Sequence, residues 1–267
     1  MMAALLRDEL MLPASTGISF IDAATGQAVR DGLQCTLLRR RDGAALARAS
    51  TTPSGVHHWP GLDSRWAAPD PLLPALADLR VYDLFERFLP LSLAWPIPAA
   101  IVATQIGGVR LAHVSLLSAP QRLAPPGFAS VFAQLIWQDA AGLTSPAAWA
   151  RVMLTDLQGR VSLGSCDAQG CLAVHLPLAR PQLDPLTKAA FAVVAVKLFL
   201  DPGLALSARR LSAPDVLAWA AQTEVRALAR ADEATALNSL RLEVGRAAVP
   251  VTEGLLPRRS ELRLVAL

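Results

Sequence analysis

The chain has 267 residues, enough for one large or two ordinary domains, and its 53% hydrophobic content excludes disorder. Net charge is only +3, and Arg39-Arg40-Arg41 is followed at once by Asp42, a solvated hairpin end and not the basic stripe that nucleic-acid binding needs. No apolar run approaches the roughly 20 residues that span a bilayer, and the N-terminus is too charged for a signal peptide, so synthesis in the cytoplasm and no membrane span are expected.

Residues 1–15 are expected to form an N-terminal arm. From Gly17 a strand reads Ile-Ser-Phe-Ile-Asp22, followed by the turn Ala-Ala-Thr-Gly26. In the next run Leu33, Cys35 and Leu37 share one face, because side chains alternate along a strand. Asp42-Gly43 marks a tight turn, and Thr-Pro-Ser-Gly55 leads into Val56-His57-His58-Trp59. Pro60 to Pro74 reads as a surface connection carrying Trp66, and Trp95-Pro-Ile-Pro as another Pro-rich passage. The domains predicted are 16–118, a Pro-rich linker at 119–128, and 129–267.

The second segment repeats the pattern of the first. Val131–Asp139 is a strand, with Ala-Ala-Gly142 as its turn. Val152 and Leu154 lie on one face of the next run, and Leu172, Val174 and Leu176 alternate with Ala173 and His175 in the last. Asp167-Ala-Gln-Gly170 is a turn whose glycine is free to take positive φ. Asp22 precedes Gly55 by 33 residues and Asp139 precedes Gly170 by 31; Gly43 precedes Gly55 by 12 and Gly159 precedes Gly170 by 11. An internal duplication accounts for this. Phe191–Leu200 is a strongly apolar strand, read as an extended edge able to accept a partner strand. A helix is predicted over 214–230, with Ser212 or Ala213 as its cap and Val216, Leu217, Ala220, Ala221 and Leu228 on its apolar side.

Signatures of catalysis and cofactor binding do not emerge: the chain has no Gly-x-Ser-x-Gly, no phosphate-cradling glycine loop and no His-Glu-x-x-His. No catalytic residue, cofactor or metal is predicted. Adjacent His57 and His58 point to opposite faces of a strand; the alternative to strand-end histidines is a composite metal site with Cys35 or His175. Cys166 and Cys171 flank a turn and read as buried thiols, with a hairpin disulfide as the alternative. Trp66, Trp95, Phe85, Phe88 and Trp219 are the candidates for contact with partners, since aromatic side chains bury large areas at little entropic cost.

The strand-Asp-Ala-x-Thr-Gly pattern and its echo, over roughly 17–60 and 130–177, resemble the transthyretin-like sandwich of carboxypeptidase regulatory-like domains. That resemblance implies a mainly β fold of two Ig/transthyretin-like β-sandwich domains with one helix near the C-terminus. More widely, Glu86-Arg-Phe-Leu-Pro, Val114 through Gly127, Pro146-Ala-Ala-Trp-Ala, Ala168-Gln-Gly and Ser260-Glu-Leu are similar to a family found with phage-tail-like contractile injection systems. This implies a non-enzymatic baseplate, spike or cap accessory. Its partners would be other particle subunits or further copies of itself, and it would leave the cell with the released particle. The alternatives are a carbohydrate- or cell-surface-binding module built on Trp66 and Trp95, and a small hydrolase assembled from distant residues.

Overall fold

Apolar residues at every second position can be buried together only if the chain is extended and paired. The computed structural model is mainly β; it describes residues 16–60, 75–97, 110–177, 181–187, 190–207, 213–231, 235–255 and 261–266. The arm expected at 1–15 and Trp66 lie outside the described residues.

The first set of strands is β1 (Thr16–Asp22), β2 (Ala28–Val29), β3 (Leu33–Arg39), β4 (Ala45–Arg48), β5 (Ser50–Thr51), β6 (Val56–His58), β7 (Ala75–Asp83), β8 (Leu91–Ile97) and β9 (Arg110–Leu116). One sheet is centred on β1, which pairs antiparallel with β2 and β6 along one edge and parallel with β9 along the other. The second is four-stranded, β4-β3-β7-β8, and antiparallel. Ile18 and Phe20 of the first sheet meet Cys35, Leu37, Leu79 and Val81 of the second in one core, with Trp59 and Trp95 inside it.

The second set is β10 (Phe128–Gln138), β11 (Thr144–Pro146), β12 (Arg151–Asp156), β13 (Val161–Ser165), β14 (Cys171–Pro177), β15 (Gln182–Leu183), β16 (Ala190–Leu200), β17 (Thr223–Ala227), β18 (Ser239–Glu243), β19 (Ala247–Ala248) and β20 (Leu262–Val265). Its pairings reproduce those of the first. β10 takes the place of β1, with β11 and β14 antiparallel and β20 parallel. β12 takes the place of β3, with β13 and β16 on its two sides, and β17 follows β16 as β8 follows β7. The spacing of turns read from the sequence thus corresponds to a pairing scheme used twice. A second core forms from Val131, Leu135, Val152, Leu154, Val174 and Leu198 with their neighbours.

The hairpins are fixed by one recurring device. Asp139, Asp156 and Asp167 each accept, on Oδ1, hydrogen bonds from the backbone N–H groups two and four residues ahead. Three residues after each aspartate stands a glycine at positive φ, Gly142, Gly159 or Gly170, the conformation that closes a type I turn with a G1 bulge. In the first set Thr52 does the same work with its hydroxyl, accepting from the Val56 N–H at 3.0 Å.

Two expectations are corrected. Phe191–Leu200 is no edge: β16 lies in the middle of its sheet, with β12 and β15 on one side and β17 and β18 on the other. The long helix over 214–230 is a single turn, α2 (Val216–Ala220), which follows a separate short helix α1 (Pro202–Ser207). Asp215, and not Ala213, caps α2, accepting from the N–H groups of Leu217 and Ala218, and Ser212 lies outside the described residues. Helical spacing of apolar residues is overridden at Gln222, whose buried amide is held by β12 and the turn before it; from Thr223 the chain is extended and finds pairing partners in β16 and β20.

Candidate functional site

The connection between the two sets of strands is firmly anchored. Arg122 donates to both carboxylate oxygens of Asp22, at 2.8 and 2.6 Å, and to the Ser118 hydroxyl at 2.9 Å. Its guanidinium lies 4.8 Å from the centre of the Phe88 ring. The Thr25 hydroxyl donates to Asp22 at 2.6 Å. Burial pushes the Asp22 carboxyl up, but the hydrogen bonds from Arg122, Thr25 and the Ala24 N–H outweigh it and hold the group below the usual carboxylate range. Nearby, His175 on β14 is buried, with Nδ1 at 2.9 Å from the Ser130 hydroxyl. Burial first, and then the Arg122 charge, depress its pKa.

An apolar cleft of about 260 Å³ opens between the two sets. Leu89, Leu91, Val114 and Leu117 line it from the first; Leu163, Ser165, Pro214, Val216 and Trp219 line it from the second. The segment before α2 reaches across: the Ser92 N–H donates to the Pro214 carbonyl at 3.0 Å, and Ser92 and Asp215 form a parallel β-bridge. Trp219 is fixed as part of the wall. Its indole N–H donates to the Ser165 hydroxyl at 3.0 Å, and the Arg151 guanidinium lies 5.5 Å from its ring and 4.1 Å from that of Phe199.

Behind that wall Trp149 takes the left-handed conformation with φ 59°, rare for a bulky side chain. Two donors hold its carbonyl: the Gln222 side-chain amide at 2.9 Å and the Ser165 hydroxyl at 3.3 Å. Gln222 also accepts from the Arg151 N–H at 3.1 Å, so one side chain ties α2's end to the start of β12. The cleft can therefore present an apolar, pre-formed surface without reorganisation of its second-set wall.

Of the described residues expected to contact partners, Trp219 alone belongs to this cleft. Phe85 is 60% exposed at the turn after β7, its ring packed over Gly32 and 5.0 Å from the Arg87 guanidinium. Trp95 and Phe88 are instead core residues, Trp95 stacking obliquely on Trp59 with ring centres 5.9 Å apart and Phe88 covered by Arg122. Trp95 sits in β8 with its own ring in the core, and so cannot serve as a binding platform. His57 is buried against the Phe20 ring and Thr51, while His58 lies on the opposite face. Among the described residues no group of three His, Cys, Asp or Glu side chains is arranged to hold a metal ion.

Sequence reasoning missed Val161 and Leu163, which are exposed on β13, as well as Ser165 and Gln222. The one available signal was the run Val-Ser-Leu-Gly-Ser, a strand without a single charge.

No family model matches the chain, and no curated protein matches it in sequence. Among solved structures, it shows likeness to the Bacillus anthracis TIE protein at 13% identity and a TM-score of 0.26, over 70% of this chain and 29% of that one. It shows likeness also to the SpaE basal pilin of Lactobacillus rhamnosus GG (9% identity, TM-score 0.21, 71% and 85% of the two chains). A third is the C-terminal fragment of the pilus adhesin SpaC from the same organism (12%, TM-score 0.17, 94% and 96%). Superpositions this loose carry no argument about this chain, which spans less than a third of the length of the TIE protein.

Proposed function

We propose that this chain is a non-enzymatic assembly subunit, built of two Ig/transthyretin-like β-sandwich domains, that joins its neighbours in a multiprotein particle through protein–protein contacts. The observation that carries the reading is an apolar cleft with exposed apolar side chains on one face of the strand that borders it. Val161 and Leu163 stand 52% and 40% exposed on β13, and Leu163 continues into the cleft walled by Leu89, Val114 and Trp219. Contiguous exposed apolar surface on a rigid scaffold is the mark of an interaction site, whereas scattered single residues are not. The resemblance of the sequence motifs to the contractile-injection family favours a tail-like particle, assembled in the cytoplasm and released with its accessory subunits.

The test is recovery of the tagged protein from its native lysate, followed by electron microscopy of what accompanies it. Tail-like particles carrying the tag are expected. Recovery of the free chain alone would overturn the reading.

A further inference from the structure

Two backbone edges converge on the cleft. β9 pairs with β1 along one side only, and β13 pairs with β12 along one side only, so among the described residues the outer edges of both strands lack a backbone partner. Val114 and Ser115 of β9 line one wall of the cleft, and Leu163 and Ser165 of β13 line the other. Exposed sheet edges are ordinarily blunted by charges, proline or a bulge. The edge strand β4 follows that rule, preceded by Arg40 and Arg41 and ending on Arg48, and β9 begins on Arg110 and carries His113. In β13, Arg160 stands just before the strand, but Val161-Ser-Leu-Gly-Ser165 itself has no charge and no proline, and its pairing with β12 runs in unbroken register.

We propose that the cleft is a strand-acceptor site, occupied by an extended, uncharged segment of a partner protein that adds to a free edge and sinks a bulky apolar side chain between Leu163, Val114 and Trp219. The inference rests on the assembly reading above and supplies its mode of contact. Chemistry on both walls selects this occupant. The lining is mostly apolar; of its polar groups the Trp219 indole N–H and the Ser165 hydroxyl are already bonded to each other, while His113 and Ser115 stand on the β9 wall. A charged guest would thus lose most of its water for few compensating bonds. At about 260 Å³ the cleft is smaller than the roughly 300–1,000 Å³ typical of small-ligand sites, and suits an inserted side chain. The chain already uses this mode at the same place, where Pro214 and Asp215 add to the edge of β8 through the bridge to Ser92.

Hydrogen exchange on the full chain tests the proposal. The probe is a capped peptide alternating threonine with valine, leucine and phenylalanine, with a lysine at each end. Its counterpart carries N-methyl groups on the amides of one edge, and a third sample is indole alone. The peptide is expected to slow exchange at Val161–Ser165 or His113–Ser115 by about ten-fold or more, the N-methylated form to bind at least about ten-fold more weakly, and Leu163→Arg to abolish binding while keeping the circular dichroism of the parent. Absence of peptide binding, equal binding of both peptides, or occupancy by indole with no protection of either edge would each overturn it. The two readings fail separately. Undiminished recovery of the particle with Leu163→Arg removes the cleft as the contact and leaves the assembly role standing. Failure of the unaltered chain to recover any particle removes the assembly role, whatever the peptide does.

Discussion

Arg122 grips Asp22 through two hydrogen bonds, of 2.8 and 2.6 Å, across 100 residues of sequence. Both side chains are largely withdrawn from water, at 12% and 7% exposure. Their joint burial fastens the connecting segment to the first hairpin, next to the point where β10 begins. A pair of this kind adds little over well-packed apolar residues, yet losing one member strands a buried charge. Arg122→Ala is therefore expected to cost about 3 kcal/mol in denaturant unfolding. Asp22→Asn combined with Arg122→Gln should cost clearly less than the sum of the single changes. Simple additivity would show that the two groups do not act together.

The pH dependence of stability should have two stages. His57 and His175 both have pKa values below the ordinary 6.5, by burial first, then by His58 for the one and Arg122 for the other. The unfolded chain binds protons at these rings that the folded chain refuses, so stability is expected to fall as pH drops through 6.5. Asp22 acts lower on the scale. Its depressed carboxyl contributes stability that is fully present above the ordinary value of 3.8 and is lost as pH falls through the folded value. Urea unfolding of the parent and of His175→Gln between pH 4.5 and 8 checks the first stage. An unchanged slope in the variant would remove His175 from the account.

Glycine at the third position after an aspartate is not equally demanding in every hairpin. Gly159, with φ 77°, has open space where a Cβ would go. Gly170, with φ 80°, has the Leu135 carbonyl oxygen at 2.4 Å from that position, and this oxygen accepts from the Ala147 N–H. Gly159→Ala should therefore cost about 1 kcal/mol for the backbone conformation alone. Gly170→Ala should cost more than about 3 kcal/mol, because the strand pair around β10 must also shift. Equal losses in thermal unfolding would mean that the turns yield more easily than their packing indicates.

Much of this architecture is local and was therefore legible. An aspartate followed by glycine three positions on closes its own hairpin, and alternation assigns Val152 and Leu154, or Leu172, Val174 and Leu176, to one face without knowledge of the partner strand. What escaped depends on contacts remote in sequence. Thr223–Ala227 reads as helix until β16 and β20 supply its hydrogen bonds. Phe191–Leu200 reads as an edge until strands occupy both sides of it. Trp95 reads as a loop aromatic because Pro96 follows it, although its ring belongs to the core. The cleft was out of reach for the same reason: Val114, Leu163 and Trp219 are brought together only by the way the two sets of strands meet.

The three thiols should separate sharply by reactivity. All are free. In the hairpin that ends β13, Cys166 pairs with Leu172 and Asp167 with Cys171, so the two cysteines are neighbours on the diagonal and not opposite one another. Burial raises the Cys35 pKa to about 12 and that of Cys166 well above its ordinary value, while Cys171, only partly buried, is raised by burial and by the adjacent Asp167 charge. Since the thiolate is the reacting species, an aromatic disulfide reagent at pH 8 should label Cys171 alone, and slowly, in the native chain. All three should react in denaturant, and Cys171→Ser should leave the native chain silent. Loss of two thiols from the denatured total in the absence of reductant, with Cys35 the one still labelled, would show a Cys166–Cys171 disulfide and a different hairpin register; rapid native labelling of Cys35 or Cys166 would show that the corresponding core opens far more readily than its packing implies.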